Sequence, residues 1–304
     1  MKKKLFLMAC LAVWGVQMSN AQSGTIALHH EGKVTIYDSG NIQSAVDASV
    51  KGDTLYLSEG TFGGFTITKG AVVIGSGQST LISGDITISG NGTEENDGFV
   101  FSLMKLTGDF VTKGSINGLI IKQCNFNSFF PGESGENTLT LLDNAQIINC
   151  YASHITAIVS SVKKLYVYSC KIDVADATLA FGCVSFVNCN IRQYRRNAYC
   201  ENCIVNSRYS FVGTLKNCLY KDDGGTRVDC YKDESWSFND LDCSLTNEEL
   251  ATKGYYGTDG TIVGCYGGTS PFSLIPATPH IKEHSLEVDE LGTTLKVTLK
   301  IGTE

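Results

Sequence analysis

The chain has 304 residues, with 24 Lys or Arg against 31 Asp or Glu and a formal charge of −7. That balance disfavours nucleic acid and anionic membrane as partners. A charged fraction of only 18%, with 32 glycines, fits a sheet-rich chain with frequent turns.

Residues 1–21 read as a secretory signal. Lys2, Lys3 and Lys4 form the charged end, and Leu5 to Val16 form an apolar core too short to span a bilayer. Ser19-Asn20-Ala21 supplies the small residues of a cleavage site, so the mature chain starts at Gln22 and is secreted, periplasmic or cell-surface. A lipoprotein reading at Cys10 would leave an apolar core of about five residues, shorter than a signal requires. No later segment is long and apolar enough to be a transmembrane segment. Without the leader, 21 basic residues face 31 acidic ones, a net charge of −10, and eleven of the 12 cysteines remain.

Residues 22–40 are a lead-in with one strand-like run, Lys33 to Tyr37. Asn41 to Val50 reads as a short helix with Ile42, Ala45, Val46 and Val50 apolar, Asn41 as N-cap and Gly52 as stop. A solenoid exposes core at its ends, and this helix is suited to plug one of them. Short strands follow: Thr54 to Leu57, Phe65 to Thr68, Ala71 to Ile74, Thr80 to Ile82 and Asp85 to Ile88. Glycine turns separate them, a pattern that suits three short faces per coil. Asn91 to Gly98 and Pro131 to Asn137 are polar excursions expected to loop out of the coil.

Between residues 119 and 218 one pattern repeats: an apolar stretch, a small or amide residue, then cysteine. The cysteines are Cys124, Cys150, Cys170, Cys189, Cys203 and Cys218, spaced 26, 20, 19, 14 and 15 residues apart. A near-constant period carrying strand residues points to a β-solenoid. Equivalent positions then stack at about 4.8 Å. Cysteine there acts as a small buried apolar residue, so a thiol ladder is favoured over a disulfide framework. Cys200 and Cys203 form one C-x-x-C, with no second pair at zinc spacing and no helix start for a redox motif.

Residues 41–275 resemble the right-handed parallel β-helix, or pectin-lyase-like, superfamily. The resemblance rests on Ile42-Gln43-Ser44-Ala45-Val46-Asp47, on Lys51-Gly52-Asp53-Thr54-Leu55-Tyr56-Leu57 and on Glu59-Gly60-Thr61-Phe62. The cysteine–asparagine rungs add to it. Gly257 to Gly264, Tyr266-Gly267-Gly268 and Pro271-Phe272 are similar to the closing coil of secreted β-helix proteins of the Bacteroidetes. The resemblance implies an all-β, right-handed parallel β-helix over residues 22–275, on an architecture that hosts unrelated functions. Before the closing coil, Thr246-Asn247-Glu248-Glu249 is a capping box that starts a helix ending near Gly254. Residues 276–304 read as a β-hairpin, Ile281 to Val288 and Thr294 to Ile301, packed over the last coil as a cap. An alternative makes the last strand a tail that pairs with another subunit.

The resemblance implies polysaccharide-cleaving chemistry, but the acid clusters and the Gly-His-Gly and Arg-x-Lys segments of those enzymes have no counterpart here. Asp222-Asp223 reads as a turn, since neighbours on a strand face opposite ways. The most suggestive cluster holds Arg192, Tyr194, Arg195, Arg196, Tyr199, Arg208 and Tyr209. Arginine forks bind carboxylates, and tyrosine presents a flat apolar face to a sugar. Arg192, Tyr194 and Arg196 share a parity, so they are expected on one outer face, with Arg208 and Tyr209 a coil later. The opposing reading is a solvated face of ion pairs. His154 is expected to be structural, and Trp236 and Phe238 to staple a loop onto the coil. The expectation is an exported, non-catalytic protein that binds polysaccharide, cell-surface glycan or matrix without a cofactor. The alternatives are a lyase or hydrolase with a divergent site, the lyase needing calcium, and a structural subunit.

Overall fold

The computed structural model describes residues 24–94, 97–131, 141–158, 162–178, 183–196, 198–206, 213–221, 224–233, 235, 245–275, 280–288 and 295–302. Two twelve-stranded sheets run the length of the body, and from Ala145–Ile148 to Tyr231–Lys232 successive strands alternate between them. Each coil therefore gives a strand to both sheets, which makes an all-β solenoid. The first sheet includes Val100–Ser102, Ile120–Lys122, Ala145–Ile148, Leu165–Tyr168, Val184–Val187, Tyr199–Glu201, Thr214–Lys216 and Thr226–Val228, each parallel to the next. Opposite them stand Asn125–Pro131, Tyr151–Ile158, Lys171–Thr178, Asn190–Arg196, Ile204–Val205, Leu219–Tyr220 and Tyr231–Lys232.

The cysteine repeat marks the turn between the two sheets. The residue before each cysteine sits in the left-handed region: Gln123 at φ 52°, Asn149 at 53°, Ser169 at 49°, Asn188 at 51°, Asn202 at 55°, Asn217 at 47° and Asp229 at 50°. Asn and Asp tolerate that region best among residues with a Cβ, which explains the amide before the cysteine. Asp229-Cys230 is a further copy, on a coil that the sequence reading did not count. The N–H of Cys124, Cys150, Cys189, Cys203 and Cys218 turns into the core, where the sulfur of the next rung receives it. Cys124 N donates to Cys150 Sγ at 3.4 Å, Cys150 N to Cys170 Sγ at 3.3 Å, Cys189 N to Cys203 Sγ at 3.4 Å and Cys203 N to Cys218 Sγ at 3.3 Å. A purely aliphatic residue would leave these N–H groups unpaired in the core. The thiols of Cys124, Cys150, Cys170, Cys189, Cys203 and Cys218 are buried and free. Burial pushes the Cys170, Cys203 and Cys218 thiols up, so they stay uncharged.

The second sheet departs from simple alternation. Its inward residues are three apart: Phe126 and Phe129, Ala152 and Ile155, Ile172 and Ala175, Ile191 and Tyr194. The pairing register skips Asn127, Ser153, Asp173 and Arg192, the residue after the first of each pair. The strand turns a corner there, so two of the three faces anticipated per coil are merged in one continuous strand.

At the start of the body, Thr25–His30 and Lys33–Asp38 form an antiparallel pair that extends the first sheet beyond Thr54–Leu57. Only the second of these was legible as a strand. Helix α1 (Ile42–Ala48) buries Ile42, Ala45 and Val46. It stops two residues short of the expected end because Ser49 is extended, and Asn41 occupies the N-cap without a side-chain capping bond. Helix α2 (Asn247–Thr252) has the complete capping box, with Glu249 N donating to Thr246 Oγ1 at 3.2 Å and Thr246 N to Glu249 Oε2 at 2.8 Å. Its Leu250 packs with Val263 on Ile204 and Leu219.

The closing segment departs from expectation. Residues 257–275 do not add a coil. They run back along the column of left-handed turns as a strap. Thr258 N donates to Asn202 Oδ1 at 2.8 Å, and Cys265 N to Asn190 Oδ1 at 2.9 Å. Asn149 Nδ2 donates to Ser270 Oγ at 3.2 Å, and Gln123 Nε2 to Ile275 O at 3.0 Å. The turn amides are therefore used twice, for their φ and for holding the strap. The hairpin His280–Val288 with Leu295–Gly302 is a separate two-stranded sheet. The strap's last described residue, Ile275, is held at the Gln123 rung.

Candidate functional site

The arginine–tyrosine cluster is not brought together on one outer face among the described residues. Tyr194 points into the core and is fully buried, edge-on to Phe186 at 6.0 Å. The corner at Arg192 breaks the parity that placed the two side by side, so Tyr194 follows Ile191 inward and is not a surface residue. Arg192 does face outward, but its Nε donates to Asp173 Oδ1 at 3.2 Å, and Tyr151 Oη donates to Asp173 Oδ2 at 3.1 Å. Burial raises the Tyr151 hydroxyl, and the Asp173 charge raises it further. Arg196 ends its strand and is described by backbone alone. Arg208, Tyr209, Asp222, Asp223, Trp236 and Phe238 lie outside the described residues, as do residues 1–21, which the sequence reads as a signal. His154 is exposed on its strand.

A different face gathers the aromatic side chains. Outward positions of the first sheet fall four and two residues before each cysteine. The register stacks them in two rows, Ile120–Gln146–Tyr166–Ser185–Tyr199–Thr214 and Lys122–Ile148–Tyr168–Val187–Glu201–Lys216. Tyr166 and Tyr168 lie nearly parallel, 9° apart with centroids 6.1 Å apart. Tyr199 stands two rungs further, about 10 Å at the strand spacing. Burial raises the Tyr168 hydroxyl, with a smaller contribution from Tyr166.

One end of this face is polar and fixed. Glu201 accepts from Tyr199 Oη at 2.9 Å, Lys216 Nζ at 2.9 Å and Thr258 Oγ1 at 3.0 Å. Burial alone would raise the Glu201 carboxyl, but these three donors hold it below its usual range. Burial and then Glu201 push Tyr199 up to about 12. The Tyr199 ring is thus locked by a charge-assisted hydrogen bond, and the strap edges the face through Thr258. Among the described residues, no three His, Cys, Asp or Glu side chains converge as a metal site. The signal for this face was in the sequence. Leu165-Tyr166-Val167-Tyr168 and Tyr199-Cys200-Glu201 place their aromatic residues on the alternate positions that the buried cysteine frame leaves outward.

No family model matches the chain, and no curated protein or solved structure matches it either.

Proposed function

We propose that this is an exported, non-catalytic protein of right-handed parallel β-helix architecture, plugged at its start by α1, that binds a polysaccharide or cell-surface glycan on the outer face of its first sheet. The tyrosine-bearing face carries this reading. Tyr166, Tyr168 and Tyr199 offer flat apolar surfaces with hydroxyl edges, the combination that meets a pyranose ring and its hydroxyls together. Rigid sheet residues present such surfaces at little entropic cost. Gln146, Lys122, Glu201 and Lys216 border the tyrosines with amide, cationic and anionic groups. A flat face suits an extended polymer better than a small molecule, which needs a concave pocket.

The test is retention on insoluble xylan and affinity electrophoresis in polygalacturonate, a neutral and a uronate polymer, with turnover assayed in parallel. Retention of the wild-type chain without release of oligosaccharide supports the reading. Release of oligosaccharide from either polymer would replace it with the enzyme alternative.

A further inference from the structure

The first sheet begins with an open edge. Its outermost strand, Lys33–Asp38, pairs with Thr25–His30 on one side and with no described strand on the other. The turn between the two strands holds Glu31 at φ 45° and Gly32 at φ 77°, and the register from Thr25↔Asp38 to His30↔Lys33 runs without a bulge. Ser39 N donates to Gly24 O at 2.9 Å, so odd-numbered residues of the edge strand turn their backbone groups toward Thr25–His30. Val34, Ile36 and Asp38 therefore turn their N–H and C=O groups to the open side. The Val34 and Ile36 side chains stand opposite His29 and Ala27 on the outer face, and they are 52% and 60% exposed. Natural edges are blunted by proline, bulges or charge along the strand. Lys33-Val34-Thr35-Ile36-Tyr37-Asp38 has no proline and carries its charges only at its two ends.

This strand is complementary to itself. A two-fold axis perpendicular to the sheet sets two copies antiparallel, and it keeps each residue opposite one of the same parity because the faces do not exchange. Centred on Thr35, the axis puts Val34 opposite Ile36 of the second copy, and Ile36 opposite its Val34. The exposed aliphatic side chains then cover one another. These are also the residues whose backbone groups face the edge, so they form the hydrogen-bonded pairs, and Thr35 meets Thr35 in the closer non-hydrogen-bonded pair. The charges agree with this direction. Antiparallel pairing brings the Lys33 end to the Asp38 end, whereas parallel pairing would set Lys33 on Lys33 and Asp38 on Asp38. At the far end of the sheet, Thr226–Val228 has only 3 residues against the 6 of Lys33–Asp38, so head-to-tail pairing would leave half of the edge open.

We propose that two copies of this chain pair through Lys33–Asp38, antiparallel about a two-fold axis at Thr35, and join their first sheets into one continuous sheet. The outer faces of the two bodies then look the same way. The pairing stands on the open edge and its self-complementarity, and it does not depend on what the tyrosine face binds.

Two measurements on the protein purified from cells test the pairing and its register. In the first, sedimentation velocity is run from micromolar to millimolar concentration on wild type and on Val34→Lys with Ile36→Lys, which sets like charges opposite each other. A wild-type dimer is expected, with its dissociation constant raised at least about tenfold in the variant. Both side chains are exposed, so the variant keeps the wild-type circular dichroism where both proteins are monomeric. A wild-type monomer at every concentration would overturn the proposal and leave the edge to an extended segment of a different protein. A dimer undiminished by the two lysines would overturn it too, by placing the contact elsewhere. In the second, Thr35→Cys and Ile36→Cys are oxidised separately and the disulfides are mapped by mass spectrometry. The Thr35 positions lie about 4.5 Å apart between Cα atoms in the proposed pair, within disulfide range, so Thr35→Cys links two copies through residue 35. Absence of that link, or a stronger link through residue 36, would overturn the register.

Discussion

Asn202 does three things at one turn, and a substitution series separates two of them. Its backbone sits at φ 55° and its side chain is 3% exposed. Its Oδ1 accepts from Thr258 N at 2.8 Å and from Thr258 Oγ1 at 3.2 Å, while its carbonyl accepts from Gly264 N at 2.7 Å. Asn202→Ala forces an ordinary L-residue into the left-handed region, at about 1–2 kcal/mol. It also leaves the Thr258 donors without their acceptor, at about 1–3 kcal/mol. The sum is about 2–5 kcal/mol. Asn202→Gly removes the backbone strain and keeps the lost acceptor, so it costs about 1–3 kcal/mol. Asn202→Asp keeps both the acceptor and the tolerance for positive φ, and is expected to be the mildest. Urea unfolding followed by circular dichroism gives the order, with amide exchange of Thr258 and Gly264 reporting the strap locally. Equal losses for Ala and Gly would refute the left-handed-turn explanation of the repeat. Unchanged exchange at Thr258 in Asn202→Ala would refute the strap's dependence on the turn amides.

Other consequences are more direct. Tyr194→Ala should cost about 3–5 kcal/mol as a large core truncation, whereas Arg192→Ala should cost at most about 1 kcal/mol as a partly exposed ion pair; denaturant midpoints of the two variants would compare them. His30 Nδ1 lies 2.8 Å from Asp53 Oδ1, and that hydrogen bond followed by the Asp53 charge raises the His30 pKa above 6.5. A raised histidine stabilises the folded state fully below its unfolded pKa, and the contribution is lost as pH rises through the folded one. Protection of the Thr25–His30 amides should therefore fall on going from mildly acidic to alkaline pH, and Asp53→Asn should flatten that dependence. Asp233 is hydrogen-bonded by Lys253 and Ser235, which hold its carboxyl well below the usual range against the effect of burial. Its stabilisation is present above the unfolded carboxylate pKa and is lost as pH falls towards the folded one. Asp233→Asn should lower the thermal midpoint at neutral pH and narrow the difference from wild type in strong acid.

The coil was legible because its cause is local. An apolar alternating strand followed by a residue that accepts positive φ and then a small inward residue is written in consecutive positions, as in Val187-Asn188-Cys189. The last copy, Val228-Asp229-Cys230, escaped because Asp replaced the expected amide and the interval shrank to twelve. The corner in the second sheet was not legible. Nothing in Lys171-Ile172-Asp173-Val174-Ala175 marks where alternation breaks, since Val and Ala are compatible with either face. That ambiguity moved Tyr194 from surface to core and dissolved the arginine–tyrosine cluster. The strap was equally hidden, because its partners lie from 56 to 152 residues away in sequence. The tyrosine face was accessible by counting back from each cysteine, but only once the cysteines were accepted as the inward frame.

The most direct test of the first-sheet face is retention of the full chain on insoluble xylan and on polygalacturonate, with wild type compared to Tyr166→Ala with Tyr168→Ala. These outward tyrosines are partly exposed, so the variant should keep the wild-type unfolding transition to within about 1 kcal/mol. Binding by wild type and a loss of at least about tenfold in the variant is the predicted result, given that a few aromatic anchors carry most of an interface's energy. Undiminished binding by a folded variant would place the site elsewhere and contradict it.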